Sequence, residues 1–251
     1  MIKKILAVMA LSVPLLANAA TLYVNQPLDI NNIVGVNGEV GSTPGSALQT
    51  VNIAFTASGM AMANEVTSVP GSDQGVGNTL TYNLAAGGQQ FDISVQAPQS
   101  QDFVNHDGYH TKYWEDYMSI GRMSTDQNDD VEFVISSGNV YGFSFSVFDN
   151  TSRSGEQITV ELSDGSSQTL ATSNMFATNS DSWGVPLDTY QFYSSGATIT
   201  SVFFNEDSPG DNVGLYSMEL SGVDFAPVPV PAAMWLFGSA LISLVAIKRK
   251  N

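Results

Sequence analysis

The sequence contains no cysteine. That excludes disulfide staples, thiol redox pairs, cysteine nucleophiles and thiolate metal sites, and leaves stability to core packing. Basic residues are nearly as scarce: 8 Lys and Arg stand against 24 Asp and Glu among 251 residues, with two His. Five of the eight, Lys3, Lys4, Lys248, Arg249 and Lys250, lie at the extreme ends. Between them Lys112, Arg122 and Arg153 face all 24 acids, a net charge of −21. A field of that sign repels phosphate backbones, so no nucleic-acid partner is expected, whereas divalent cations are attracted. Also missing are Gly-x-Ser-x-Gly, His-Glu-x-x-His, a phosphate loop, a convincing amphipathic helix and any fixed-period repeat.

The two ends carry the uninterrupted apolar runs. Lys3 and Lys4 precede an apolar stretch over 5–16, and Ala17 and Ala19 place small residues three and one before a cleavage point. This is the pattern of a secretory signal peptide over 1–19, cut by signal peptidase before Ala20; the run is too short to span a membrane. At the other end, Pro229 and Pro231 stop any helix from extending backwards. The charge-free residues 232–247 then make a helix of roughly 24 Å, slightly short of a hydrocarbon core of roughly 30 Å. Trp235 suits the outer headgroup level, and Lys248, Arg249 and Lys250 hold the terminus on the cytoplasmic side. An exported chain, anchored through the inner membrane by this one helix, is expected.

Between the ends, short alternating runs are followed by Gly, Ser, Asn and Asp turns. Val51, Ile53 and Phe55 share one face, as do Leu80, Tyr82 and Leu84. The same holds for Phe91, Ile93 and Val95; for Val131, Phe133 and Ile135; and for Ile158, Val160 and Leu162. Phe143, Phe145 and Val147 alternate with Gly142, Ser144 and Ser146, and further strands fall over 198–204 and 213–220. Period-two alternation with one polar face predicts packed antiparallel sheets. The fold class expected for 20–225 is all-β, an antiparallel β-sandwich of jelly-roll type, with the Asn- and Gly-rich 20–45 partly irregular.

Three acidic clusters have the oxygen-only donors that suit Ca²⁺: Asp126, Asn128, Asp129 and Asp130; Asp207 and Asp211; and Asp149 and Asn150 with Glu156. Solvated turns use the same residues. The first cluster is not an EF-hand, because Val131 and Ser137 replace the required Gly and Glu. The stretch 105–117 holds both histidines and four aromatics. Tyr109, Tyr113, Trp114 and Tyr117 could stack on sugar rings or cap the core; His106, Asp107 and His110 could instead bind zinc, but Asp107 stands where the metalloprotease arrangement has Glu. Adjacent Glu115 and Asp116 do not make the opposed carboxylate pair of a glycosidase.

Val228, Pro229, Pro231, Ala232, Ala233, Trp235, Leu236, Phe237, Gly238 and Ser239, followed by the apolar helix and basic cluster, resemble the PEP-CTERM sorting tag over 226–251. Val230 stands where the commonest form has Glu. The resemblance implies an exosortase substrate of a polysaccharide-producing Gram-negative bacterium, cleaved near the proline motif and passed to the cell surface or released. Residues 140–149, 158–165, 199–204 and 211–216 are similar to the β-sandwich that PEP-CTERM proteins often carry, a distant relative of carbohydrate-binding jelly rolls. The expectation is a non-enzymatic surface or matrix protein associated with exopolysaccharide, with Ca²⁺ as its one candidate cofactor. A secreted glycan-active hydrolase and a structural or adhesive protein without glycan binding are the alternatives.

Overall fold

The computed structural model describes residues 20–55, 79–97, 103–105, 118–120, 130–149, 156–172, 177–180, 186–205 and 213–226. The expected signal peptide, 1–19, and residues 227–251 of the expected sorting tag lie outside these residues. Among the described residues no helix is long and apolar enough to cross a membrane, and a short 3-10 turn lies at Ile30–Asn32.

Fourteen strands are described. In chain order they are β1 (Thr21–Val24), β2 (Ala47–Ala54), β3 (Thr79–Ala86), β4 (Gln89–Gln96), β5 (Phe103–Asn105), β6 (Met118–Ile120), β7 (Val131–Ser137), β8 (Val140–Asp149), β9 (Gln157–Leu162), β10 (Ser167–Ala171), β11 (Ala177–Ser180), β12 (Pro186–Ser195), β13 (Ile199–Asn205) and β14 (Val213–Asp224). They form two antiparallel sheets. One has eight strands, in the order β1-β12-β8-β14-β6-β5, with β11 also on β12 and β2 also on β14. The other has six, in the order β10-β9-β13-β7-β4-β3.

The alternation expected from the sequence decides which side chains go inside. Phe91, Ile93, Val95, Phe133, Val160, Val202 and Phe204 from the smaller sheet meet Ile53, Phe143, Phe145, Val147, Tyr190, Phe192, Met218 and Leu220 from the larger one in a single core. Ring contacts cross the gap: Phe133 lies 5.1 Å from Phe143 and 5.0 Å from Phe145, and Phe204 lies 5.9 Å from Phe145 and 5.8 Å from Tyr190. Offset and tilted rings of this kind add to the burial of large apolar area. The β3–β4 hairpin closes on Gly87 and Gly88, both at positive φ (57° and 94°). A two-residue loop with positive φ at both central positions matches the twist of the strands, and only glycine adopts it freely.

One feature of the larger sheet departs from expectation. β12, ten residues next to its centre, is not among the runs expected as strands. Its inward positions are Asp188, Tyr190, Phe192 and Ser194, so polar residues at both ends of the row hide the alternation. Residues 20–45, expected to be partly irregular, combine coil and turns with one short strand and the 3-10 turn. Thr21–Val24 pairs with β12, and the segment after it folds back over the outer face of the sheet.

Candidate functional site

On the outer face of the eight-stranded sheet, register aligns side chains into rungs across four neighbouring strands, β12, β8, β14 and β2. One rung is Thr189, Ser146, Ser217 and Ala54; the next is Gln191, Ser144, Glu219 and Asn52; the third is Tyr193, Gly142, Ser221 and Thr50. These positions point outward because their sequence neighbours, Phe143, Phe145, Met218, Leu220, Tyr190 and Phe192, point into the core. In the outer two rungs hydroxyls satisfy one another: Ser146 with Thr189 at 2.8 Å, and Thr50 with Ser221 at 3.1 Å. The middle rung differs. Among the described residues, no side-chain hydrogen bond engages Gln191, Ser144, Glu219 or Asn52. Glu219 is also the one charged group in the three rungs.

A roof closes one end of this face. Ile33, Tyr141, Tyr193 and Val223 form a second buried cluster, with Tyr23, Leu28, Ile30 and Phe225 packed against it. Tyr23 stacks on Tyr193 at 4.3 Å with the rings nearly parallel. Asp29 caps the 3-10 turn by accepting from the Asn31 backbone N–H at 3.0 Å. The Ser195 hydroxyl accepts from Val34 N–H at 2.9 Å and donates to the Asn32 carbonyl at 3.2 Å, tying the roof to the edge of β12. Gly142 lets it approach closely, since a Cβ there would lie 2.7 Å from Leu28 Cδ1 and 3.1 Å from Ser221 Cβ.

Where roof and middle rung meet there is an open depression of about 140 Å³. Pro27, Leu28 and Leu48 supply an apolar wall, and Thr50, Ser144, Gln191, Glu219 and Ser221 a polar floor. Beneath the roof, burial pushes the Tyr141 phenol up to about 12; the hydrogen bond from Val36 N–H opposes this and the Glu39 charge adds to it. Tyr193 is also raised, by burial first and then by the nearby Tyr23 and Asp29.

The opposite end of the sandwich is acidic. Register places the start of β7 beside the end of β13 (Val131 with Phe204) and the start of β9 beside the same end (Gln157 with Asn205). In the other sheet the start of β14 pairs with the end of β8 (Val213 with Asp149), near Asp188 on β12. The Phe145–Phe204 and Tyr190–Phe204 contacts put both sets of strand ends on one side. Strand ends flanking all three acidic clusters therefore converge there. Asp130, Glu156 and Asp188 are buried at this end, at 5 %, 5 % and 2 % exposure. Buried carboxylates require partners; Glu156 has one in the Thr172 hydroxyl at 2.9 Å, so it is a held structural group rather than part of a solvated turn.

Of the residues expected from the sequence to form sites, Asp130 and Glu156 are described, immediately preceding β7 and β9, and Asp149 ends β8. Asp126, Asn128, Asp129, Asp207 and Asp211 lie outside the described residues, as do Tyr109, Tyr113, Trp114 and Tyr117, the signal-peptide residues and the sorting motif. Among the described residues no three His, Asp or Glu side chains come together as a metal site. The open rung was missed because its members are ordinary polar residues on four strands distant in sequence. The available signal was the polar position between paired core residues, such as Ser144 between Phe143 and Phe145.

No protein-family model matches the chain, and no curated protein matches it. A solved structure of a mutant of the family 29 carbohydrate-binding module CBM29-2, made to probe ligand recognition, is similar over 70% of this chain and 92% of that one. The identity is 13% and the TM-score 0.33. Likeness at that level carries no functional argument, so any function must be argued from the residues of this chain.

Proposed function

We propose that this chain is an exported protein of the Gram-negative cell surface or extracellular matrix, trimmed at both ends, whose jelly-roll-type sandwich contacts exopolysaccharide without catalysis. The observation that carries the polysaccharide part is the middle rung. Its amide, hydroxyl and carboxylate groups have no side-chain partner among the described residues, are aligned across four strands, and are bordered by an apolar wall. Sugar recognition needs that combination, because hydroxyls seek fixed hydrogen-bond partners while ring C–H faces seek apolar surface. A hydrolase reading would need a second carboxylate facing Glu219 across the bond to be cut.

The processing part rests on the two termini. Signal peptidase removes 1–19, and exosortase acts near Val228, Pro229 and Pro231 while the 232–247 helix holds the chain transiently in the inner membrane. Mass spectrometry of the surface-located protein is expected to find neither 1–19 nor 232–251; an intact tail would sink the sorting reading. For polysaccharide contact, the test is retardation of the purified protein in native gels containing the host exopolysaccharide, expected at neutral pH and absent in gels without it.

Ca²⁺ belongs at the acidic end, where the strand ends flanking the three clusters converge. Oxygen donors from several segments would satisfy a cation taking six to eight ligands. A native-state binder stabilises by linkage, by about 2.7 kcal/mol at a hundredfold excess over its dissociation constant. Thermal unfolding with Ca²⁺ is therefore expected to show a raised midpoint that chelator reverses. An unchanged midpoint would return these segments to plain turns.

A further inference from the structure

We infer that the depression between the roof and the middle rung takes a single uncharged hexose ring of the polysaccharide and rejects anionic sugars such as uronates. This rests on the polysaccharide reading and assigns it a place and a sugar class. Three observations carry it.

The first is room. At about 30 Å³ for each water of the liquid, 140 Å³ holds about five waters. That suits one hexose with its hydroxyls and is small beside the roughly 300–1,000 Å³ pockets that enclose drug-sized ligands.

The second is the inventory of free groups. Gln191 offers two donors and an acceptor, Glu219 acceptors only, and Ser144 one of each kind. The flanking hydroxyls of Thr50 and Ser221 are engaged with each other. A ring seated with its C–H face on Leu28, Leu48 and Pro27 would turn its hydroxyls onto the one rung whose groups are unengaged.

The third is charge. The described lining contains no Lys, Arg or His, and its one ionisable group is Glu219. A carboxylate or sulfate on the sugar would enter without a counter-ion and beside a like charge, which is unfavourable at short range. A divalent cation is no better served, since one carboxylate falls far short of a six-oxygen shell.

The experiment is affinity electrophoresis of the full chain in mild detergent, against neutral dextran, mannan and galactan and against alginate, a polyuronate. Binding to a neutral polymer is expected. It should be unchanged between about 0.01 and 1 M NaCl, across which the screening length falls from about 30 to about 3 Å. Gln191→Ala should weaken it by about tenfold, the scale of losing hydrogen bonds to the ligand. Glu219→Gln, which keeps an acceptor, should weaken it less than Glu219→Ala. Asn83→Ala, exposed on the other sheet, should leave it unchanged and control for folding. Preferential binding of alginate overturns the inference. Neutral-polymer binding indifferent to Gln191→Ala and Glu219→Ala also overturns it, while leaving the polysaccharide reading intact. Retardation by none of these polymers nor by the host exopolysaccharide overturns both.

Discussion

On the outer face of the six-stranded sheet, outward positions carry Asp92 on β4, Glu132 on β7 and Glu161 on β9. Their neighbours pair locally, Thr159 with Thr169 at 2.9 Å and Ser201 with Glu132 at 3.3 Å. On the eight-stranded sheet the same alternation gives three rungs with Glu219 as their one charge, and beyond them the roof with its own buried cluster. Chain folds onto the second face because its outward positions there are aromatic or small. Tyr141 and Tyr193 provide apolar area and Gly142 allows the backbone to come close, whereas three carboxylates on the other face would have to be desolvated or paired. The described residues therefore form two hydrophobic clusters of unequal rank. One joins the sheets; the other fastens the segment after β1 to the outside of one sheet and shapes the wall of the depression.

Unequal rank is testable by truncating one member of each cluster. Phe145 is 1 % exposed and lies within ring contact of Phe133, Phe143, Tyr190 and Phe204. Phe145→Ala is expected to cost about 3–5 kcal/mol, read as a lower urea midpoint with unchanged slope. Ile33 is fully buried in the roof, yet few elements close around it. Ile33→Ala should cost about 2 kcal/mol, the low end for such truncations, and do so locally. Amide exchange is expected to speed up over 28–41 while β8 and β13 stay protected. Equal loss of protection in β8 would show that the roof is part of the same cooperative unit as the core.

The core was legible in the sequence, and the roof was not, for physical reasons. Alternation such as Phe143-Ser144-Phe145 is imposed by the pleat and survives in any single strand, so the inward rows could be read one at a time. β12 escaped because Asp188 and Ser194 occupy inward positions at its ends, where the core gives way to partnered polar groups. The roof escaped because Leu28, Ile30 and Ile33 have no period of their own; they are spaced to meet Tyr141, Tyr193 and Val223, which lie far along the chain. The open rung is non-local in the same way: Gln191 and Asn52 lie on one line only because β8 and β14 come between them. The acidic clusters were legible as composition, but their convergence at one end depends on strand register.

The finest distinction between the clusters is carried by two tyrosines, and alkaline titration reads it. Tyr82, in the main core, is fully buried, and its hydroxyl has no hydrogen-bond partner among the described residues. Tyr141, beneath the roof, accepts from Val36 N–H at 3.3 Å. Burial raises both phenols above the ordinary value of 10.0, Tyr141 to about 12 and Tyr82 further. In the unfolded chain each ionises near the ordinary value, so below that pH both states hold the proton and stability is unaffected. Above it the unfolded state loses protons first, and stability falls as pH rises, through about 12 for Tyr141 and beyond that for Tyr82. Urea midpoints measured from about pH 8 to 11 should therefore decline above about pH 10, and less steeply in either Phe variant. At about pH 8, where neither phenol ionises, the variants should part. Tyr141→Phe loses the Val36 bond and about 0.5–1.5 kcal/mol, whereas Tyr82→Phe removes a buried unsatisfied hydroxyl and should be neutral or slightly stabilising. A stability loss in Tyr82→Phe as large as that in Tyr141→Phe would mean that the core hydroxyl is satisfied after all.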